Sequence, residues 1–251
     1  MLRIKAIAPL ALTGAEVVRR QDRYARLGGD RIQVELVNLT GAGAPTRLDS
    51  AADITLSDHL VRAESARTDP QRFDLVLPDC VLDPGVDETL ATPAQAGADT
   101  GTPVRTGADT ATPVPVVGIL RLAAAHLAAL GRPFAAVTRN AAIATELRRR
   151  LAGYGLAGCL TSAHVLDIDF CFVSDDSGWS AALTPLASDL AASGVSTLLN
   201  GCSAVDLPDN RLSGVLVVDP TDLALRVLAA ADGAGLYRSP WHTTPAAGAW
   251  R

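Results

Sequence analysis

The strongest constraint on the fold is a repeated alternation of short apolar runs with longer segments of helical period. Residues 3–8, 31–38, 73–78, 134–138, 195–199 and 214–218 read as strands. In the second of these, Ile32, Val34 and Leu36 alternate with Gln33 and Glu35, the mark of a strand with one face toward solvent. Helical punctuation falls between the strands. Thr13 with Glu16 spells a capping box, and Gly28 and Gly29 end that helix. A second helix is expected from 55 to 66, and another runs from Gly118 to its stop at Gly131. Asn140 opens a helix with Ile143, Leu147 and Leu151 on one face, and Leu183, Leu186 and Leu190 mark the next, ended by Gly194. Asp219 and Pro220 supply an N-cap and a first-turn proline for a last helix to about residue 231. This order of elements implies an α/β fold: parallel sheets flanked by helices, in two similar halves.

Two of these strands deliver a thiol. Cys80 follows the run 73–78 and Cys202 follows 195–199, each with an aspartate a few residues on, Asp83 and Asp206. Ligands in open α/β sheets bind at the C-terminal ends of strands, so two such strands in facing halves bring two thiols to one cleft. A single cysteine at a strand end is ordinarily a small buried residue. The matched pair points to chemistry, whereas Cys159 and Cys171 have no such context and read as structural.

Composition excludes several classes. A chain of 251 residues with 48% hydrophobic residues can bury a sizeable core. A net charge of -5 leaves no electrostatic footprint for nucleic acid or an anionic membrane, and no apolar stretch reaches the ~18 residues of a membrane span. The run Arg148 to Arg150 reads as a solvated helix face. The apolar N-terminal segment, interrupted by Pro9, reads as a first strand and not as a secretion signal. Four cysteines without metal-ligand spacing suit free thiols in a reducing cytoplasm, and His59, His126, His164 and His242 are scattered singly. Neither a metal nor a cofactor is expected.

Two motifs carry less than they suggest. Residues 153–158, Gly-Tyr-Gly-Leu-Ala-Gly, match the dinucleotide fingerprint by letter. That motif works only between a strand and the helix it opens, and here it follows a helix, so we read it as a helix stop and turn. Residues 92–101 recur nearly unchanged at 102–111, and a third copy begins at 112. A tandem decapeptide rich in Pro, Gly, Ala and Thr reads as a flexible insertion, about 90–114. The tail from 233 to 251 has no periodic pattern.

The segments Asp79-Cys80-Val81-Leu82-Asp83-Pro84-Gly85, Pro115-Val116-Val117-Gly118, Gly131 to Thr138 and Asn200-Gly201-Cys202-Ser203, in that order, resemble the aspartate/glutamate/hydantoin racemase superfamily, most closely its hydantoin-racemase branch. The resemblance covers nearly the whole chain. It implies two pseudo-symmetric α/β subdomains with the active site between them: 1–115 with 214–251 as the first half, and 116–213 as the second. It also implies a cytoplasmic enzyme acting on a small molecule, and it allows a homo-oligomer.

The chemistry this implies is cofactor-independent racemisation or epimerisation beside a carbonyl. One thiolate removes the proton, a thiol on the opposite face returns one, and the two exchange roles with the enantiomer. An ordinary thiol is only a few per cent ionised at neutral pH, so backbone N–H groups after each strand are expected to favour the thiolate. Asp83 and Asp206, if ionised nearby, act against it, and so read as turn and capping residues. Where the family carries an Asn-Pro-Asn type motif this chain has Ala8-Pro9-Leu10, which removes two amides from the substrate's surroundings. Besides Cys80 and Cys202 as catalytic residues, the candidate substrate contacts are Pro9, Ser50, Val81, Thr138, Gly201 and Ser203. The substrate expected is an amino-acid derivative, a hydantoin or a related cyclic amide. Two alternatives stand beside it: a maleate-type isomerase or arylmalonate-type decarboxylase of the same superfamily, and a non-catalytic binding relative.

Overall fold

The computed structural model describes residues 1–41, 43–87, 114–207 and 210–236, so both full copies of the decapeptide and nearly all of the tail lie outside the described residues. The first sheet is three-stranded and parallel, with β1 (Leu2–Ile7) between β2 (Ile32–Val37) and β3 (Leu75–Pro78). The helices α1 (Gly14–Gly28) and α2 (Ala51–Ser65) make its crossovers. Past the insertion the chain returns alongside β3, where Val116 forms a single parallel bridge to Val76.

α3 (Ile119–Ala129) then leads into the second sheet, whose order is β5-β4-β6-β8-β7. Its strands are β4 (Phe134–Thr138), β5 (Leu160–Val165), β6 (Thr197–Asn200), β7 (Arg211–Leu212) and β8 (Val215–Val218), all parallel except β7. α4 (Ala141–Gly153) and α5 (Asp176–Ala192) join them, and α6 (Pro220–Gly233) follows β8. β3, β4 and β6 are buried along their whole length, as strands covered by helices on both faces must be, whereas β2 at its sheet edge alternates buried and exposed.

Three features depart from the sequence reading. The strand at 215–218 pairs with β6 in the second sheet, not with the first half, so only α6 crosses back. There Ala224, Leu225 and Leu228 pack against Leu2, Ile4 and Leu75. β5 was not foreseen, because Leu160-Thr161-Ser162-Ala163-His164 lies at a sheet edge, part-exposed, and carries little apolar signal. The Thr13 box is half formed: Thr13 Oγ1 accepts from the Glu16 N–H at 3.3 Å, but the Glu16 carboxylate turns to Arg19 and Arg20. The reciprocal box stands instead at the head of α2, between Ser50 and Asp53. The glycine-rich run 153–158 does end α4, and it enters a short 3₁₀ turn, Ala157–Cys159, before β5.

Candidate active site

β3, at the edge of the first sheet, and β6, in the middle of the second, both end beside one cavity, and the chain beyond each turns sharply. After Pro78 come Asp79 and Cys80, and after Asn200 come Gly201 and Cys202. The second turn is tight because Gly201 donates its N–H to the Val137 carbonyl at 2.7 Å. A Cβ at Gly201 would lie 2.2 Å from that oxygen, so only glycine lets the thiol loop lie against β4. Both cysteines face one cavity of about 60 Å³. Pro9 and Leu10 after β1, Leu48 before α2, and Val81 and Leu82 beyond Cys80 form its wall on the first half. Gly201, Ser203 and Ala204, with Arg139, Ile143, Phe170 and Val173, close it from the second.

The electrostatics under the two thiols differ. Burial pushes the Cys80 thiol up to about 12; the Leu82 N–H, 3.4 Å from Sγ, opposes this, while Asp79 and Asp83 add to it. Burial raises Cys202 too, but two N–H groups, those of Ala204 and Val205, and the guanidinium groups of Arg20 and Arg23 all favour its thiolate. Cys202 is therefore the thiol with more around it that favours the thiolate, although burial still raises it.

Beneath Cys80 lies a buried ionic chain. Asp79 accepts from Arg20 Nη1 at 2.9 Å and from the Tyr24 hydroxyl at 2.7 Å, and Arg20 also binds Glu16 at 2.7 Å. Burial alone would raise the Glu16 carboxyl, but Arg19 and Arg20 hold it at about 2. Asp83 is fully buried at φ 50° and accepts from the Leu120 and Arg121 N–H groups and from the Tyr154 hydroxyl. It thus caps α3, whose own N-cap is Gly118, from outside the helix. A Cβ at Gly118 would sit 2.2 Å from the Asp83 carboxylate. Asp206 pairs with Arg26 and lies 3.6 Å from Arg23, so it ties the thiol loop to α1. Only the first of the two aspartates is a cap.

Of the sequence candidates, Cys80, Cys202, Pro9, Val81, Gly201 and Ser203 all line the cavity. Ser50 and Thr138 do not. Ser50 is exposed and spends its hydroxyl on Asp53, while Thr138 is fully buried and donates to the Asn140 carbonyl at 3.0 Å. Sequence reasoning passed over Arg20 and Arg139, both less than a tenth exposed. Arg139 follows β4 directly, so the strand-end rule that singles out the cysteines also reaches it. Its guanidinium is held by the Leu48 carbonyl and Asp49, and lies 5.4 Å from the Phe170 ring. Phe170 and Val173 belong to a 3₁₀ turn, Phe170–Ser174, in a stretch with no periodic signal.

A larger hollow of about 750 Å³ opens between α2 and α4. Its charges satisfy one another, with Arg150 2.5 Å from Asp58 and 2.8 Å from Glu146, and no cysteine lines it. The smaller cavity has the chemistry.

Similarities to known proteins follow the same lines. The allantoin racemase of Pseudomonas fluorescens superposes with a TM-score of 0.70 at 21% identity, over 100% of both chains. That of Klebsiella pneumoniae gives 0.67 at 18% identity, over 94% of this chain and 89% of its own. An unliganded arylmalonate decarboxylase gives 0.53 at 18%, over 94% of this chain and 93% of its own. At these identities the likeness is one of fold, two α/β subdomains with parallel sheets flanked by helices. No curated protein matches the sequence. The family model for Asp/Glu/hydantoin racemases matches residues 4–228, spanning both sheets and both thiol loops, and the chain belongs to that family of racemases.

Proposed function

We propose that this protein is a cofactor-independent racemase or epimerase that inverts a carbon beside a carbonyl with Cys202 and Cys80 as its proton-transfer pair. The observation that carries this reading is that one cavity receives both thiols from the ends of strands in opposite sheets. In one direction the Cys202 thiolate takes the α-proton. The C–H electron pair passes into the carbonyl to form an enolate, and the Cys80 thiol delivers a proton to the opposite face. Charge then rests on Cys80, and the reverse direction starts from that state. Arg20 and Arg139, both on the cavity wall, place positive charge beside the enolate.

The substrate we infer is an amino-acid derivative, hydantoin or related cyclic amide whose substituent is apolar. Leu10, Leu48, Leu82, Ile143 and Phe170 offer no hydrogen bonds from their side chains, in keeping with the missing amides beside Pro9. A cavity of about 60 Å³ holds only a few waters, less than the volume of a substituted ring.

The same apolar wall favours one second reading, decarboxylation of a substituted malonate, the substrate class named for the arylmalonate decarboxylase that shares the fold. It needs a single proton-donating thiol. The two readings separate on solvent deuterium incorporation at the α-carbon, followed by NMR and mass spectrometry with hydantoins, amino acids and malonates. Exchange of a chiral substrate that is lost in Cys80→Ser and in Cys202→Ser alike supports racemisation. Product formation from a malonate that survives one of these substitutions supports decarboxylation. Absence of exchange and turnover with all three classes, while one of them still raises the melting temperature, overturns both in favour of a binding relative.

A further inference from the structure

We propose that Arg19 and Arg23 of α1 are positioning residues for Cys202, acting through two peptide groups that they hold by the carbonyl oxygen. The inference rests on the reading of Cys202 as a proton-transfer thiol. Arg23 Nη1 donates to the Ser203 carbonyl at 2.6 Å, and the N–H of that same peptide group, on Ala204, favours the Cys202 thiolate. Arg19 Nη2 donates to the Ala204 carbonyl at 2.9 Å, and the N–H of that peptide group, on Val205, favours the same thiolate. Each peptide thus has a guanidinium at its oxygen and an N–H that favours the thiolate. Hydrogen bonds in such a chain polarise one another, so each arginine strengthens the N–H dipole that the thiolate sees.

The arrangement is anchored on both sides. The Thr221 hydroxyl makes a second bond to the Ser203 carbonyl at 3.0 Å, and Arg23 reaches on to the Val205 carbonyl at 3.2 Å and Asp219 at 2.5 Å. Arg19 is fixed by Glu16 at 2.8 Å and by the Val173 carbonyl at 3.2 Å, with Asp176 3.6 Å away. The other charged or titratable groups around Cys202 are Arg20 on α1, Asp79 and Cys80 after β3, Arg139 after β4, and Asp206 on its own loop. Cys80 has no counterpart to this arrangement: a single N–H meets its sulfur, and its flanking charges are Asp79 and Asp83. The consequence is an unequal pair, in which the monoanionic site keeps its charge on Cys202.

The test reads the thiol itself. In a chain carrying Cys80→Ser, Cys159→Ser and Cys171→Ser, Cys202 is the sole sulfhydryl, and its ionisation is followed by thiolate ultraviolet absorbance and by the pH dependence of iodoacetamide alkylation. Arg19→Gln and Arg23→Gln each raise the midpoint by about half to one pH unit, which slows alkylation about three- to tenfold on the acid side. Arg19→Lys restores most of that shift, because it keeps a cation at the Ala204 carbonyl. If buried Arg23→Gln fails to fold, the half-exposed Arg19 decides alone. A folded Arg19→Gln protein with an unmoved midpoint overturns the proposal, as does a lysine variant no better than glutamine. No substrate enters the assay, so failed proton exchange leaves this result standing, and an unmoved midpoint leaves the racemase reading standing.

Discussion

Asp83 shows how much a single carboxylate can be asked to do. Burial raises its pKa to about 6 even though two backbone N–H groups and the Tyr154 hydroxyl donate to it. A folded-state pKa above the ordinary value means that the native state holds the proton more tightly than the unfolded chain. The stability this contributes is present below about pH 4 and is lost as the pH rises through about 6, some 3 kcal/mol in all. Asp83→Asn removes that dependence. The difference in unfolding free energy between wild type and variant, measured by urea titration, should therefore shrink by about 2–3 kcal/mol between pH 4 and pH 7. The negative charge also explains part of the inequality of the thiols, since Asp83 acts on Cys80. Sequence reasoning reached the sign of that effect and the capping role, but not the helix being capped. Asp83 is 37 and 38 positions from the backbone N–H groups it receives, and no local pattern encodes such a pairing.

The element whose role changed most is α2. Ser50 looked like a substrate contact; instead it accepts the Asp53 N–H at 3.2 Å while the Asp53 carboxylate accepts the Ser50 N–H at 2.9 Å. Ser50→Ala is expected to cost about 1 kcal/mol of stability and leave kcat unchanged. Thermal denaturation and steady-state rates on the active substrate check the two halves of that statement, and a collapse of kcat would return Ser50 to the site. The cap was legible as Ser-x-x-Asp before an apolar run, but the competing pull of family position drew the residue toward the cleft. β5 and the 3₁₀ turn at Phe170–Ser174 were illegible for a different reason. Their side chains are part-exposed at a sheet edge or in an irregular turn, so neither a period of two nor one of 3.6 marks them.

At the scale of the molecule, the two sheets are joined by α6. Its strand, β8, belongs to the second sheet, while its Leu225 and Leu228 are buried in the core of the first. Burying each contributes about 1.5–3 kcal/mol, so neither half can lose the other without exposing this face. We expect one cooperative unfolding transition. Far-UV ellipticity and emission from Trp179, in a chain carrying Trp241→Phe and Trp250→Phe, should give the same midpoint, and Leu228→Ala should lower both together by about 2–4 kcal/mol. Separate midpoints would show that the halves fold independently. Among the described residues no helix is long and apolar enough to cross a membrane. The sequence by itself determined the strand and helix alternation, most caps, and the two strand ends that carry the thiols, because periodicity and capping are encoded within a few residues. Only the tertiary structure decided that β8 stays with β6, that Ser50 and Thr138 face away, and that α1 reaches across to the peptides behind Cys202. Those contacts join residues up to 185 positions apart, and their energy exists only once both sheets have packed.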